Sequence, residues 1–322
     1  MRTLGFVSCL LILVAKPLAA EETLPDNGKG IRLGREQVQR LMVGVKVKAG
    51  GPCRGVFATV PMPMDWPEQQ AKIVDENFSP AVKNVDYRVL DGGVKQLLIT
   101  IPQLQAGETT EATLTVEVRR KAIVEPEDPS VFTIPTQPDR SIRKYLAGSP
   151  FIESRNTKIR TLARKLVADQ ETAWDKVRAI YDHVREEIKF EESELKGAAA
   201  TLRDGQGDCE AMTSLFIALC RAAKIPARMV WVTDHSYPEF YLLDDEGQGH
   251  WIPCQIAGAE AFGSMPETRP ILQKGDNFKV PETKARRRYV ATQLKAGAVR
   301  GKKPTVTVIT DFVPIDVPFN AP

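Results

Sequence analysis

Gly205-Gln206-Gly207-Asp208-Cys209-Glu210-Ala211-Met212-Thr213-Ser214-Leu215-Phe216-Ile217-Ala218-Leu219-Cys220 is the segment around which the second half of the chain is organised. From Ala211 to Leu219 the apolar residues fall almost all round a helical wheel, so the spacing predicts an interior helix over 209–223. Pro226 marks the end of its exit. Gly205 and Gly207 let the chain turn sharply and deliver Cys209 to the helix N-terminus. Free N–H groups and the macrodipole favour negative charge there, so a thiol at that point is expected to have a lowered pKa and to be a better nucleophile. The same N–H groups suit a developing oxyanion. Asp208 and Glu210 oppose a thiolate, so a basic partner should matter. The competing reading of Cys209 is a small buried hydrophobe.

Two amphipathic helices precede this segment. Ile159, Leu162, Leu166 and Val167 form one stripe. Trp174, Val177, Tyr181, Val184 and Ile188 form the next, with Asp169 as the expected N-cap. Strand-like runs follow at 228–233, 237–243 and 250–256, the last two joined by the turn Asp244-Asp245-Glu246-Gly247. His235 opens the strand His235-Ser236-Tyr237-Pro238-Glu239-Phe240-Tyr241 and is the natural base. Alternation puts it on one face with Tyr237, Glu239 and Tyr241. Trp251-Ile252-Pro253-Cys254-Gln255 is the expected partner strand, and Gln255 is placed to orient an imidazole. The plain alternative for His235 is a structural histidine.

These segments resemble the transglutaminase-like superfamily. Gly207-Asp208-Cys209, Leu215-Phe216, Leu219, Arg221-Ala222-Ala223 and Ile225-Pro226-Ala227-Arg228 resemble its cysteine segment. His235-Ser236-Tyr237-Pro238-Glu239 resembles its histidine strand, which usually has Trp at the position of Tyr237. Trp251-Ile252-Pro253 resembles the stretch before its third catalytic residue. The likeness covers roughly 155–256, and it implies a papain-like α+β domain with Cys209 as nucleophile and His235 as base. The family usually has an acid where this chain has Gln255, so Gln255 takes the orienting role, with Asp234, Asp244 and Glu239 as less well placed substitutes.

The rest of the chain supplies the context. At 322 residues and 43% hydrophobic, it suits about two domains. Residues 1–20 carry Arg2, an apolar stretch from Leu4 to Ala15 and small residues to Ala20, which reads as a secretory signal peptide. Its removal takes Arg2 and Lys16 and no acid, so the formal net charge falls from +3 to +1. A near-neutral exported protein is a poor nucleic-acid binder on global charge. Between 31 and 125, short period-two runs such as Val43, Val45 and Val47 alternate with glycine turns, which predicts a β-sandwich. Pro126, Pro129, Pro135 and Pro138 mark a linker over 126–150. The transglutaminase-like domain is then expected over 151–275. A basic segment at 276–322 follows, with a final strand at Thr305–Thr310.

The remaining features read more plainly. Cys209 and Cys220 lie about 16 Å apart along one helix, too far for a disulfide. Cys220 and Cys254 are either buried free thiols or a pair. His183, His235 and His250 show no zinc-ligand spacing with the cysteines, and no calcium-loop pattern occurs, so no cofactor or metal is expected. His183 reads as structural, and His250 is the second choice for base. Ser141-Ile142-Arg143-Lys144 lacks the companions of a Ser-x-x-Lys enzyme. Trp66 and Trp231 read as core residues rather than groove walls. The stretch 279–303 holds nine Lys or Arg against Glu282, read first as a solvated face and second as a contact for an anionic envelope polymer or lipid headgroup.

No apolar run outside the leader spans a membrane. The expectation is a secreted or periplasmic thiol enzyme acting on peptide or glutamine-type amides through Cys209, His235 and Gln255. The alternatives are an inactive binding module of the same fold and an envelope-interaction protein.

Overall fold

A computed structural model of the chain describes residues 28–192 and 194–315. The leader expected at 1–20 lies outside the described residues. In β1 (Arg32–Lys48), Leu41, Val43, Val45 and Val47 are buried on one side while Lys46 and Lys48 face solvent, as a half-buried strand requires. The chain continues through β2 (Cys53–Met62), β3 (Gln69–Phe78), β4 (Asn84–Leu90), β5 (Val94–Leu104) and β6 (Thr109–Val124). The inward residues of β1 and β6 meet those of β2 and β5 in one apolar core that includes Val56, Val60, Leu97, Ile99, Leu114 and Val116. This is a β-sandwich.

Helices come next: α1 (Arg140–Arg143), α2 (Thr157–Val167) and α3 (Ala173–Glu187). Asn156 caps α2, accepting from the N–H of Lys158 at 3.0 Å. The cap of α3 is Thr172, not Asp169: its hydroxyl accepts from the N–H of Asp175 at 3.0 Å and donates to the Asp175 carboxylate at 2.6 Å. That reciprocal pair satisfies first-turn groups that Asp169, three residues earlier, does not serve. After β7 (Lys189–Phe190), α4 (Ala198–Asp204) and β8 (Gln206–Gly207) comes α5 (Cys209–Ala222). Ala211 to Arg221 are all buried, so α5 is the interior helix that its apolar girth predicts. It packs against α2, α3 and α4 on one side and against β9 (Ala227–Val232) and β10 (His235–Leu243) on the other.

The strands β11 (Gly249–Gln255) and β12 (Ala261–Phe262) extend this sheet. β13 (Ile271–Lys274) then pairs with β9 on one side and β5 on the other, so one sheet runs from the helical half into the sandwich. Charges buried at this junction are paired, as burial demands. Lys274 Nζ lies 2.8 Å from both Glu68 and Glu239, and Arg228 lies 2.6 Å from Glu239. The chain finally returns to the sandwich. β14 (Gln293–Val299) pairs with β2, and β15 (Thr305–Val313) pairs with β1. The alternation at Thr305–Thr310 announces β15; β14 has no such signal because Lys295 and Gly297 interrupt its apolar pattern. No helix among the described residues is long and apolar enough to cross a membrane.

Candidate active site

Cys209 owes its place to a turn that only glycine makes without strain. Gly205 ends α4 at φ +66°. Gln206 and Gly207 then pair in parallel with Lys189 and Phe190. A Cβ on Gly207 would stand 2.8 Å from that of Ala211, so α5 must start directly behind a bare backbone. Asp208 caps it, accepting from the N–H of Ala211 at 2.8 Å. The N–H groups of Cys209 and Glu210 in this first turn have no intrahelical acceptor.

The thiol of Cys209 is partly exposed and its pKa is raised, contrary to the lowering expected of a helix N-terminus. Burial is the largest cause, and Asp208 and Glu210 add to it; the Ser236 N–H and hydroxyl oppose. The basic partner that the two acids required is Arg288. Its guanidinium donates to Glu210 at 2.5 Å and to Ser214 at 2.8 Å, both on α5. Arg288 is 5% exposed, whereas its neighbours Arg286 and Arg287 face solvent. The basic stretch is therefore not uniformly a solvated face.

His235 is the first residue of β10, reached through the two-residue turn Thr233-Asp234. Asp234 adopts φ 55°, a left-handed conformation that Asp tolerates better than most residues. The register Glu239↔Pro253 carries Gln255 two residues further along β11, diagonal to His235 on the same face. Gln255 Oε1 lies 3.3 Å from His235 Nε2. An amide oxygen only accepts, so this contact suits the tautomer with its proton on Nε2 and a lone pair on Nδ1. Burial pulls the pKa of His235 down; Gln255 and Glu267 push it up, and Arg269 pulls it down further. With the thiol raised and the imidazole lowered, the resting pair is neutral near pH 7.

Cys209 and His235 line one cleft of about 630 Å³. Trp231 and Tyr289 form part of its wall; Pro61 of β2 and Val308 and Thr310 of β15 close it from the sandwich side. Trp231 is 4% exposed and donates to the Gly275 carbonyl at 2.9 Å, so it serves both core and wall. Trp66 is buried away from the cleft. The other candidates are occupied elsewhere. His250 is 2% exposed and pairs with Asp244 at 2.8 Å, which removes both from the site. Glu239 serves Arg228 and Lys274. His183 sits on α3, outside the cleft. Cys53, Cys220 and Cys254 are buried free thiols. Tyr237 has a reason for replacing a tryptophan: its hydroxyl accepts from Arg120 of β6 at 2.9 Å, a bond across to the sandwich.

Arg288, Tyr289, Val308 and Thr310 carried no signal in the sequence, because their relevance depends on where the last strands return.

Gln255→Glu tests the geometry. A carboxylate of the same length favours the imidazolium, so the acid limb of any His235-dependent rate should move to higher pH. Alkylation of Cys209 by iodoacetamide, expected to be slow at pH 6 in the wild type, should accelerate. An unchanged pH profile in Gln255→Glu would mean that Gln255 does not address His235.

Comparison with known proteins adds the following. Residues 160–256 match the profile of the transglutaminase-like superfamily. No curated protein matches the chain significantly. Among solved structures, a candidate cysteine protease from Cytophaga hutchinsonii superposes with a TM-score of 0.58 at 18% identity, over 90% of this chain and 97% of that one. At that identity the likeness is one of fold. The periplasmic domain of TgpA from Pseudomonas aeruginosa, bound to ethylmercury, aligns at 15% identity and a TM-score of 0.34 over 71% of this chain and 91% of that one.

Proposed function

We propose, from the match of residues 160–256 to the transglutaminase-like superfamily, that the protein is an exported thiol-dependent hydrolase of peptide or glutamine-type amides. The observation that carries the reading is the shared cleft: Cys209 and His235 line it together, and Gln255 Oε1 lies 3.3 Å from Nε2 of the imidazole.

In this scheme His235 Nδ1 takes the proton of Cys209 as the sulfur attacks the amide carbonyl carbon. The negative charge that develops on the carbonyl oxygen faces the free N–H groups at the start of α5. When the C–N bond breaks, the imidazolium returns its proton to the leaving amine, and a thioester remains on Cys209. Water, deprotonated by His235, attacks the thioester; the C–S bond breaks and the thiol is restored. Gln255 acts through His235 as a positioning residue: it fixes the tautomer but adds no charge to stabilise the imidazolium. Water needs no second binding site, which favours hydrolysis over transfer to an amine.

The test uses a library of blocked peptides in 18O-water with dansylcadaverine present. Hydrolysis places 18O in a new carboxylate; transfer places the dansyl amine on the peptide. Cys209→Ala should abolish both. Activity that survives in Cys209→Ala would falsify the thiol mechanism, and dansyl incorporation in the wild type would replace water by an amine as the acceptor.

A further inference from the structure

The ionisable side chains lining the cleft, besides Cys209, His235 and Tyr289, are all carboxylates: Glu192, Asp208, Glu210 and Asp234. No Lys or Arg is among the lining residues. Two of the acids are committed internally, Asp208 to the cap of α5 and Glu210 to Arg288. Glu192 and Asp234 are exposed and form no ion pair among the described residues. Both line the cleft together with the reactive pair. The β7–β8 pairing, continued by the N–H of Glu191 donating to the Gly207 carbonyl at 3.0 Å, carries the chain at Glu192 along the segment that leads into Cys209. Asp234 directly precedes His235.

Two independent features of the same cleft point to a polypeptide occupant. Thr233 is 4% exposed, lines the cleft, and its hydroxyl has no hydrogen-bond partner. A buried polar atom without a partner is costly, and a peptide group of a bound chain would satisfy it. The second feature is apolar. Val308 stands opposite Val45 in the β15–β1 register, yet Val45 is 1% exposed and Val308 is 49% exposed. The core-facing side of β15 thus overhangs the sandwich at the cleft, and Phe190, 52% exposed, stands in the same cleft.

We propose that the cleft takes an extended polypeptide segment bearing lysine or arginine next to apolar residues, its cation answered by Glu192 and Asp234 and its apolar side chains lying on Val308 and Phe190. This rests on the reading of the cleft as the site of Cys209 chemistry, and it adds the class of chain that enters. Clefts lined by one sign of charge concentrate the opposite sign and are weakened by salt.

The experiment reads the cleft without turnover. Cys209 in the full chain is reacted at low salt with a cationic trimethylammonium and an anionic sulfonate methanethiosulfonate of equal size, each rate divided by its rate on glutathione. The other three described thiols are buried, and mass spectrometry locates the adduct. The cationic reagent is expected to react about 10-fold faster. The preference should fall at high salt and in Glu192→Gln/Asp234→Asn, where Asn keeps the left-handed turn accessible. In parallel, a blocked Gly-Leu-Lys-Gln-Leu-Gly peptide should protect Cys209 from iodoacetamide better than its counterpart with Glu for Lys. Reaction without charge preference, or equal protection by both peptides, overturns this inference and leaves the thiol mechanism standing. If neither reagent reaches Cys209, the cleft reading fails as well.

Discussion

His235→Ala is expected to lower kcat/KM for amide cleavage by roughly 10²–10⁴-fold, the usual worth of a positioned general base. The loss should be large here because the raised thiol pKa of Cys209 leaves little thiolate near neutral pH, so attack depends on proton removal during the reaction. Added imidazole should recover part of the rate by entering the vacated space. The wild-type acid limb should lie below the ordinary imidazole pKa of about 6.5, because burial depresses His235 and only its neutral form accepts the proton. Activity therefore persists into mildly acidic solution and is lost as pH falls through that depressed value. The groups around the pair are Asp208, Glu210 and Arg288 on the thiol side, and Asp234, Glu267 and Arg269 on the imidazole side. His250→Ala serves as the control: its partner is Asp244, so it should affect stability and leave the pH profile in place. A full rate in His235→Ala would transfer the base role elsewhere.

Arg221→Met is expected to destabilise the fold by about 3–5 kcal/mol, the cost of removing one partner of a buried ion pair. Arg221 and Asp276 are each 1% exposed at the side chain and 2.6 Å apart. The same guanidinium donates to the Ala227 carbonyl at 2.7 and 3.0 Å and to the Ala147 carbonyl at 2.8 Å. Asp276 in turn accepts from Ser149 at 2.6 Å. Methionine supplies the volume but leaves Asp276 and these carbonyls buried without that donor. The end of α5 opposite Cys209 would lose its ties to β9 and to the segment before α2. A lower urea midpoint at unchanged slope is the expected readout. A midpoint unmoved by the substitution would show that the network adds nothing net to stability. Arg221→Lys should recover little, since an ammonium cannot reproduce the planar fork.

Cys209, His235 and Gln255 are read with the same logic, and each was legible to a different degree. The buried girth of α5 follows from its apolar composition, and the glycines before it announce the turn. The strand start at His235 and its facing partner near Gln255 follow from period-two alternation and two short hairpins. The N-cap of α3 was misplaced because Asp169 and Thr172 are both good caps, and only the contact with Asp175 separates them. The direction of the Cys209 pKa is hidden from the sequence for a related reason: the helix end acts over one turn, whereas desolvation depends on everything packed around the sulfur.

The interior helix, the cysteine at its mouth, the later histidine strand and the sandwich before them are all local in origin, because periodicity and turn chemistry act between near neighbours. Long-range packing makes Arg288, 78 residues from Glu210, turn inward as its counterion, brings β15 over the cleft and lines the cleft with acids. Those outcomes depend on which distant strands meet, and one arginine of three in a row is buried by packing that no local pattern encodes.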